Sequence, residues 1–383
     1  MNVKDLLFVL LRFSINKEAF NKETVEESLN NEKLATLYKA SKKHDVAHLV
    51  AHALDQAGIS FLGEIGSLFL KEKEQAFLRF EMIQADIKEI CGCFDEEGIN
   101  YIPLKGAVIR DYYPEPWMRT SCDIDILVGE DSIDGAVRAL VEKLGYKTDN
   151  KKTYHDVSLY SPFGTHLELH YNIKENEPKY DELLVRVWEF AEKADGSKYI
   201  QSNEFLVFHL IAHAAYHFVK GGCGIRSVLD LWRLKQGLKI DIATLNNMLE
   251  KAGLVKFYNV LISLGEYWFG NVENASQTVL EMEKYILLGG AYGTVKQGAL
   301  AGQAKKGGKL RYFWSRIFLP YESLAILYPV IKKHKALIPF CQIARWIAAL
   351  FKRKRIAKEI KNVAESDREQ IEKTKKLLDD LGL

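Results

Sequence analysis

Residues Asp123-Ile124-Asp125-Ile126-Leu127-Val128 place two carboxylates, one apolar residue apart, at the head of a short apolar run. Side chains on a strand alternate faces, so Asp123 and Asp125 project to one side while Ile124 and Ile126 enter a core. Two acids held side by side on a rigid element repel each other, and something must offset their charge. A hard divalent cation does so through carboxylate oxygens, and Mg²⁺ in such a site commonly carries substrate phosphates as well. The pattern predicts a sheet-borne acidic site and points to phosphoryl- or nucleotidyl-transfer chemistry.

With 383 residues and 48% hydrophobic content, the chain has enough apolar surface for a large core, in two domains or one extended one. A formal charge of +2 does not call for a nucleic-acid partner. The five cysteines lack disulfide-like spacing, and Cys91-Gly92-Cys93 has no second pair to complete a zinc site. Reduced cysteines in a cytoplasmic protein are the expectation. The amino terminus lacks the basic-then-apolar design of a signal peptide. The longest apolar stretch, residues 336–351, is interrupted by Pro339, Gln342 and Arg345, so no transmembrane segment is expected.

Helical periodicity fills residues 1–97, and Gly98 is a plausible stop. The texture then changes. Strands are predicted over Ile99–Leu104, Asp123–Val128, Tyr154–Tyr160 and His166–Tyr171, with an amphipathic helix over Ile133–Leu144 ended by Gly145. Residues 98–175 thus read as a compact α/β core. Helical periodicity returns over 176–288, in segments Leu183–Ala191, Asn203–Val219, Ile225–Leu234, Ile242–Lys251 and Val255–Phe269. Residues 289–308, rich in glycine, alanine and lysine, read as a loop or linker, and 309–383 as further helices, the last a charged one over Lys352–Leu383. The fold class expected is α+β: a small mixed sheet with helices, embedded between helical amino- and carboxy-terminal regions.

Nucleotidyl transfer needs carboxylates for cations, a backbone approach to a triphosphate, and a group to take the proton of the attacking hydroxyl. Asp123 and Asp125 supply the first. Glu168, in Leu167-Glu168-Leu169, joins them if the two strands neighbour each other, as a further metal ligand or as the proton acceptor. Lys105-Gly106 at a strand-to-helix turn offers exposed amides, close approach and a positive charge. Arg119 is placed to touch a phosphate or to brace the acids. Each feature also has a plain reading: a surface pair, an ordinary turn, a charge offset, an edge-strand glutamate. Their order and placement together favour a site.

Pro103-Leu104-Lys105-Gly106, Arg119, Asp123–Val128, Gly145-Tyr146 and Glu168-Leu169-His170 resemble the uncharacterised bacterial nucleotidyltransferase family, of the DNA polymerase beta-like superfamily. His213, Arg226, Asp230, Arg311, Tyr328-Pro329, Pro339 and Arg345 resemble the helical carboxy-terminal half of that family. The resemblance implies a minimal nucleotidyltransferase fold, with Asp123 and Asp125 as metal ligands and Glu168 as the third acid. Where the wider superfamily carries glycine followed by glycine or serine, this chain has Lys105-Gly106.

Two histidine ladders, His44/His48/His52 and His209/His213/His217, recur every four residues. Neither forms an HExxH motif, so packing or hydrogen bonding is expected of them rather than zinc binding. His170, His213, Arg226 and Asp230 are assigned to the acceptor side, His170 because it shares a strand face with Glu168. Basic clusters at Lys332–Lys335 and Lys352–Arg355 suit an anionic membrane or RNA, but a solvated helical face is the expected reading. No GxSxG, Walker A or GxGxxG sequence is present. The function expected is transfer of an NMP from an NTP to a hydroxyl of an unknown acceptor, with Mg²⁺ or Mn²⁺. The alternative is a catalytically inactive binding module on the same fold.

Overall fold

The structure, a computed structural model, describes residues 1–59, 63–291, 293–350 and 367–383. Five helices come first: α1 Val3–Asn16, α2 Lys22–Ser28, α3 Asn31–Lys43, α4 Ala47–Gln56 and the 33-residue α5 Glu64–Glu96. A seven-stranded mixed sheet follows: β1 Tyr101–Pro103, β2 Asp123–Val128, β3 Lys147–Lys152, β4 Asp156–Tyr160, β5 His166–His170, β6 Ala191–Asp195 and β7 Lys198–Gln201. Their spatial order is β3-β4-β5-β2-β1-β7-β6. Pairs β2/β5 and β1/β7 are parallel and the others antiparallel. Helices α6 Gly106–Ile109, α7 Ile133–Leu144 and α8 Pro178–Leu184 lie between strands. After them come α9 Asn203–Lys220, α10 Ile225–Gly237, α11 Ile242–Ala252, α12 Val255–Phe269, α13 Gln277–Gly289 and α14 Val295–Lys306. The chain ends with α15 Lys309–Ile317, α16 Tyr321–Leu327, α17 Val330–Lys333, α18 Ile338–Leu350 and α19 Arg368–Leu381. The fold is α+β.

Strand alternation divides the apolar residues between two cores. Ile124, Ile126 and Val128 pack with Leu167 and Leu169 against Ile83, Ile90 and Phe94 of α5 and Ile133, Ala136 and Leu140 of α7. The other face sends Leu127, with Ile102 and Leu104 of the β1 segment, into the larger cluster built by α9, α10 and α12. The acids of β2 therefore emerge between the sheet and its second helical layer. Strand β2 and helix α7 occupy the residues expected, and Gly145 ends α7 in the left-handed region at φ +69°.

Three expectations are corrected. The helix over Leu183–Ala191 stops at Leu184, and a 3-10 turn over Val187–Phe190 leads into β6. Trp188 packs edge-on against Tyr199 of β7 and Phe190 stacks on Phe205 of α9, so tertiary contacts override the helical periodicity. The stretch 289–308 holds helix α14 rather than a loop throughout. Its glycines serve close approach, because a Cβ at Gly298 would overlap the Lys220 carbonyl and one at Gly302 the Tyr312 ring. The edge strand β3, Lys147–Lys152, lies where no strand was expected, since its sequence Lys-Thr-Asp-Asn-Lys-Lys carries no apolar alternation. At the carboxy terminus, α19 accounts for the end of the charged helix. Lys352–Ser366, with the Lys352–Arg355 cluster, lies outside the described residues. No described helix is long and apolar enough to cross a membrane.

His44 fixes α10, which carries two site residues, to the rest of the fold. Its Nε2 donates to the Leu287 carbonyl at 3.3 Å and its Nδ1 accepts from the Ile225 amide at 3.5 Å. Both roles require one neutral tautomer, since the imidazolium has no acceptor. Burial pushes the His44 pKa down to about 4. Between pH 6.5 and 4 the unfolded chain therefore binds a proton that the folded chain refuses. Stability contributed by neutral His44 is complete above pH 6.5 and declines as the pH falls through this window, by about 3 kcal/mol at most. Urea denaturation at pH 7.5 and 4.5 measures it. His44→Gln should lower stability at pH 7.5 and flatten the dependence.

Candidate active site

The parallel register of β2 and β5 pairs Asp123 with His166, Asp125 with Glu168 and Leu127 with His170. Three carboxylates from two strands thereby share one sheet face. Donor atoms of Asp123, His166 and Glu168 lie within 4.8 Å of one another, as do those of Asp125, Glu168 and His170. Burial and the neighbouring Asp125 charge raise the pKa of both Asp123 and Glu168. Asp125 is 7% exposed, and burial alone would raise its pKa too. Lys105 and His170 reverse that and hold its carboxyl well below the usual carboxylate range. The Lys105 Nζ lies 3.0 Å and the His170 Nε2 2.9 Å from the same Asp125 Oδ1.

Lys105 occupies the turn between β1 and α6 with φ +42°, a conformation that costs a non-glycine residue about 1–3 kcal/mol. The Leu104 amide donates to the Asp125 carbonyl at 3.0 Å, which locks the turn against β2. A Cβ on Gly106 would sit 3.2 Å from both Arg119 Nη1 and Ser121 Cβ, so a side chain here would force those neighbours back by a few tenths of an ångström. Arg110, buried and unforeseen from the sequence, backs this turn by donating to the Gly106 carbonyl and to Ser121 Oγ.

The sequence places Arg119 near phosphate or the acids. It lines the cleft, but every guanidinium nitrogen already has a protein partner. Nε and Nη2 donate to Asp230 at 3.1 and 2.9 Å, and Nη1 to the Thr120 carbonyl at 2.6 Å. Asp230 also accepts from Tyr113 at 2.7 Å. Arg226 donates to Asp45 and to the Thr120 carbonyl, and Thr120 Oγ1 donates to Asp45. Helix α10 is thus clamped to the segment leading into β2.

Helix α9 forms the facing wall of a cleft of about 600 Å³, with His209, His213 and His217 along it. His213 Nδ1 is 2.6 Å from Glu175 Oε1. Burial would raise the Glu175 pKa, but the bond to His213 and the nearby His213, Lys105 and His209 charges together take it down to about 2. Burial lowers His209 to about 3 and His217 to about 4, so both are neutral at pH 7. The first ladder stays outside the cleft: His48 bonds the Met118 carbonyl at 2.8 Å and His52 packs on Trp117. Sequence reasoning missed Glu175, Tyr154, Tyr216 and His155. The first lies in a loop without a pattern, and only its position shortly after His170 marks it. His155 stacks on His170 at 5.4 Å, and the buried Nδ1 of each ring has no hydrogen-bond partner among the described residues.

The donor set fits a hard divalent cation: carboxylate oxygens predominate, imidazole nitrogens adjoin them, and burial with the Asp125 charge raises the pKa of both neighbouring acids. A profile of the uncharacterised nucleotidyltransferase family matches residues 30–270, and the chain belongs to that family. The matched span contains both walls of the cleft. No curated protein matches the chain. Nucleotidyl transfer is the chemistry of this family, and the buried acidic cluster is compatible with a divalent metal.

The Arg119–Asp230 pair, 9% and 5% exposed, gives a direct test of the clamp. Asp230→Ala leaves a buried guanidinium without its counter-charge and should cost roughly 3–5 kcal/mol in urea unfolding. Asp230→Asn, which keeps part of the hydrogen bonding, should cost less.

Proposed function

We propose that the cleft transfers an NMP from an NTP to a hydroxyl of an acceptor, with Mg²⁺ or Mn²⁺ held by Asp123, Asp125 and Glu168. The observation that carries this reading is the register that sets Asp125 beside Glu168. When bound, the cation supplies charge neutralisation to the triphosphate and orients it. Lys105 and Gly106 cradle the phosphates, the first by its ammonium and the second by an unobstructed backbone. Arg119 holds the turn and β2 in place through Asp230. Glu168, its pKa raised, takes the acceptor hydroxyl proton as the oxygen–phosphorus bond forms and pyrophosphate departs. His170 keeps the Asp125 carboxylate oriented. His213, oriented by Glu175, and Arg226 line the acceptor end of the cleft. Residues 98–175 supply the donor site and 176–288 the acceptor wall, and we place the reaction in the cytoplasm.

One observation favours a second reading, a catalytically inactive binding module. Asp125 Oδ1 already has two protein partners, Lys105 and His170, so the fold supplies its own counter-charge.

The two readings separate experimentally. The active protein should consume labelled NTP in cell extract and gain thermal stability with NTP only when Mg²⁺ is present. Asp123→Asn combined with Asp125→Asn should remove both effects, and an unchanged double variant would sink the assignment. His213→Ala should lower transfer about tenfold, the loss of one acceptor-side contact, while leaving the NTP thermal shift intact. A loss of nucleotide binding in that variant would place His213 on the donor side instead.

A further inference from the structure

Helices α15 and α18 show an apolar face with no cover among the described residues. Apolar residues fall at 310, 313, 314 and 317 of α15, a helical stripe, yet none of its nine residues is buried. Leu310 is 70%, Trp314 50% and Phe318 51% exposed. On α18, Phe340 is 68% and Ile343 48% exposed. The two helices present one surface. Trp346 Nε1 donates to the Ile317 carbonyl at 2.8 Å, its ring meets Phe318 at 5.4 Å, and Phe318 stacks on Trp314 at 5.7 Å.

Charge says what covers it. Residues 291–350 contain ten lysines and arginines and one acid, Glu322, in a chain whose formal charge is only +2. Lys305 and Lys306 end α14, Lys309, Arg311 and Arg316 lie on α15 itself, and Lys332, Lys333 and Lys335 precede α18. A second copy would set these cations against an equal number of their own kind. A nucleic acid would leave the aliphatic part, Leu310 and Ile343, without a use. Aromatic and aliphatic side chains interspersed along the chain with lysine and arginine match the boundary between acyl chains and anionic headgroups. No described helix is long and apolar enough to cross a bilayer.

We propose that the α15–α18 face docks the protein on an anionic lipid bilayer. Its apolar residues enter the headgroup–acyl boundary and its lysines and arginines meet anionic headgroups. Because α14 links α15 to α9, docking holds the cleft at the membrane surface.

Flotation of the full chain with vesicles tests this independently of catalysis. It should float with phosphatidylcholine vesicles containing phosphatidylglycerol, with a blue shift of tryptophan emission, and remain in solution with phosphatidylcholine alone. Added salt should weaken the association. Leu310→Ser with Trp314→Ser and Phe340→Ser should reduce partitioning about tenfold or more, at an unchanged melting temperature. Lys332→Glu with Lys333→Glu and Lys335→Glu, which spares the apolar residues, should also weaken it. The proposal is overturned if the wild-type chain does not float with the anionic vesicles, or if both variants float as it does. It is equally overturned if the triple-serine variant instead abolishes a concentration-dependent dimer or retention of RNA.

Discussion

Three carboxylates on adjacent parallel strands repel one another, and the surroundings of β2 are arranged around that repulsion. Lys105 leans on Asp125 from a left-handed turn, His170 donates to the same oxygen, and Asp123 and Glu168 respond by holding protons more tightly than isolated acids would. A strained residue persists only where neighbours over-determine it. Here Gly106, Arg110 and the Leu104–Asp125 backbone bond do so.

The walls of the cleft come from distant parts of the chain. Asp230 meets Arg119 across 111 residues and Glu175 meets His213 across 38. Each bond joins the sheet side to a helix of the second layer. Helices α9 and α10 are therefore placed by ionic contacts as well as by the apolar core they share.

Local rules made the centre of the site legible. Alternation placed the two aspartates on one face and Glu168 on a strand, and the Gly145 stop bounded α7 correctly. What escaped has physical causes. Strands β3 and β6 are polar edge strands without an apolar alternation, so nothing in their composition distinguishes them from loops. The Trp188 and Phe190 anchors made a hairpin approach look helical. The Asp230 partner of Arg119 is set by tertiary packing 111 residues away, and Glu175 sits in a connection where single residues carry no period.

Helix α14 shows how glycine can be a packing residue rather than a break. At Gly298 the main chain of α14 rests against the end of α9, with no side chain between them. The spacing at that joint is therefore a property of two backbones. Rotamer changes in neighbouring side chains do not loosen it, and sequence drift there can act in only one direction, by adding volume and prising the histidine wall away from its support.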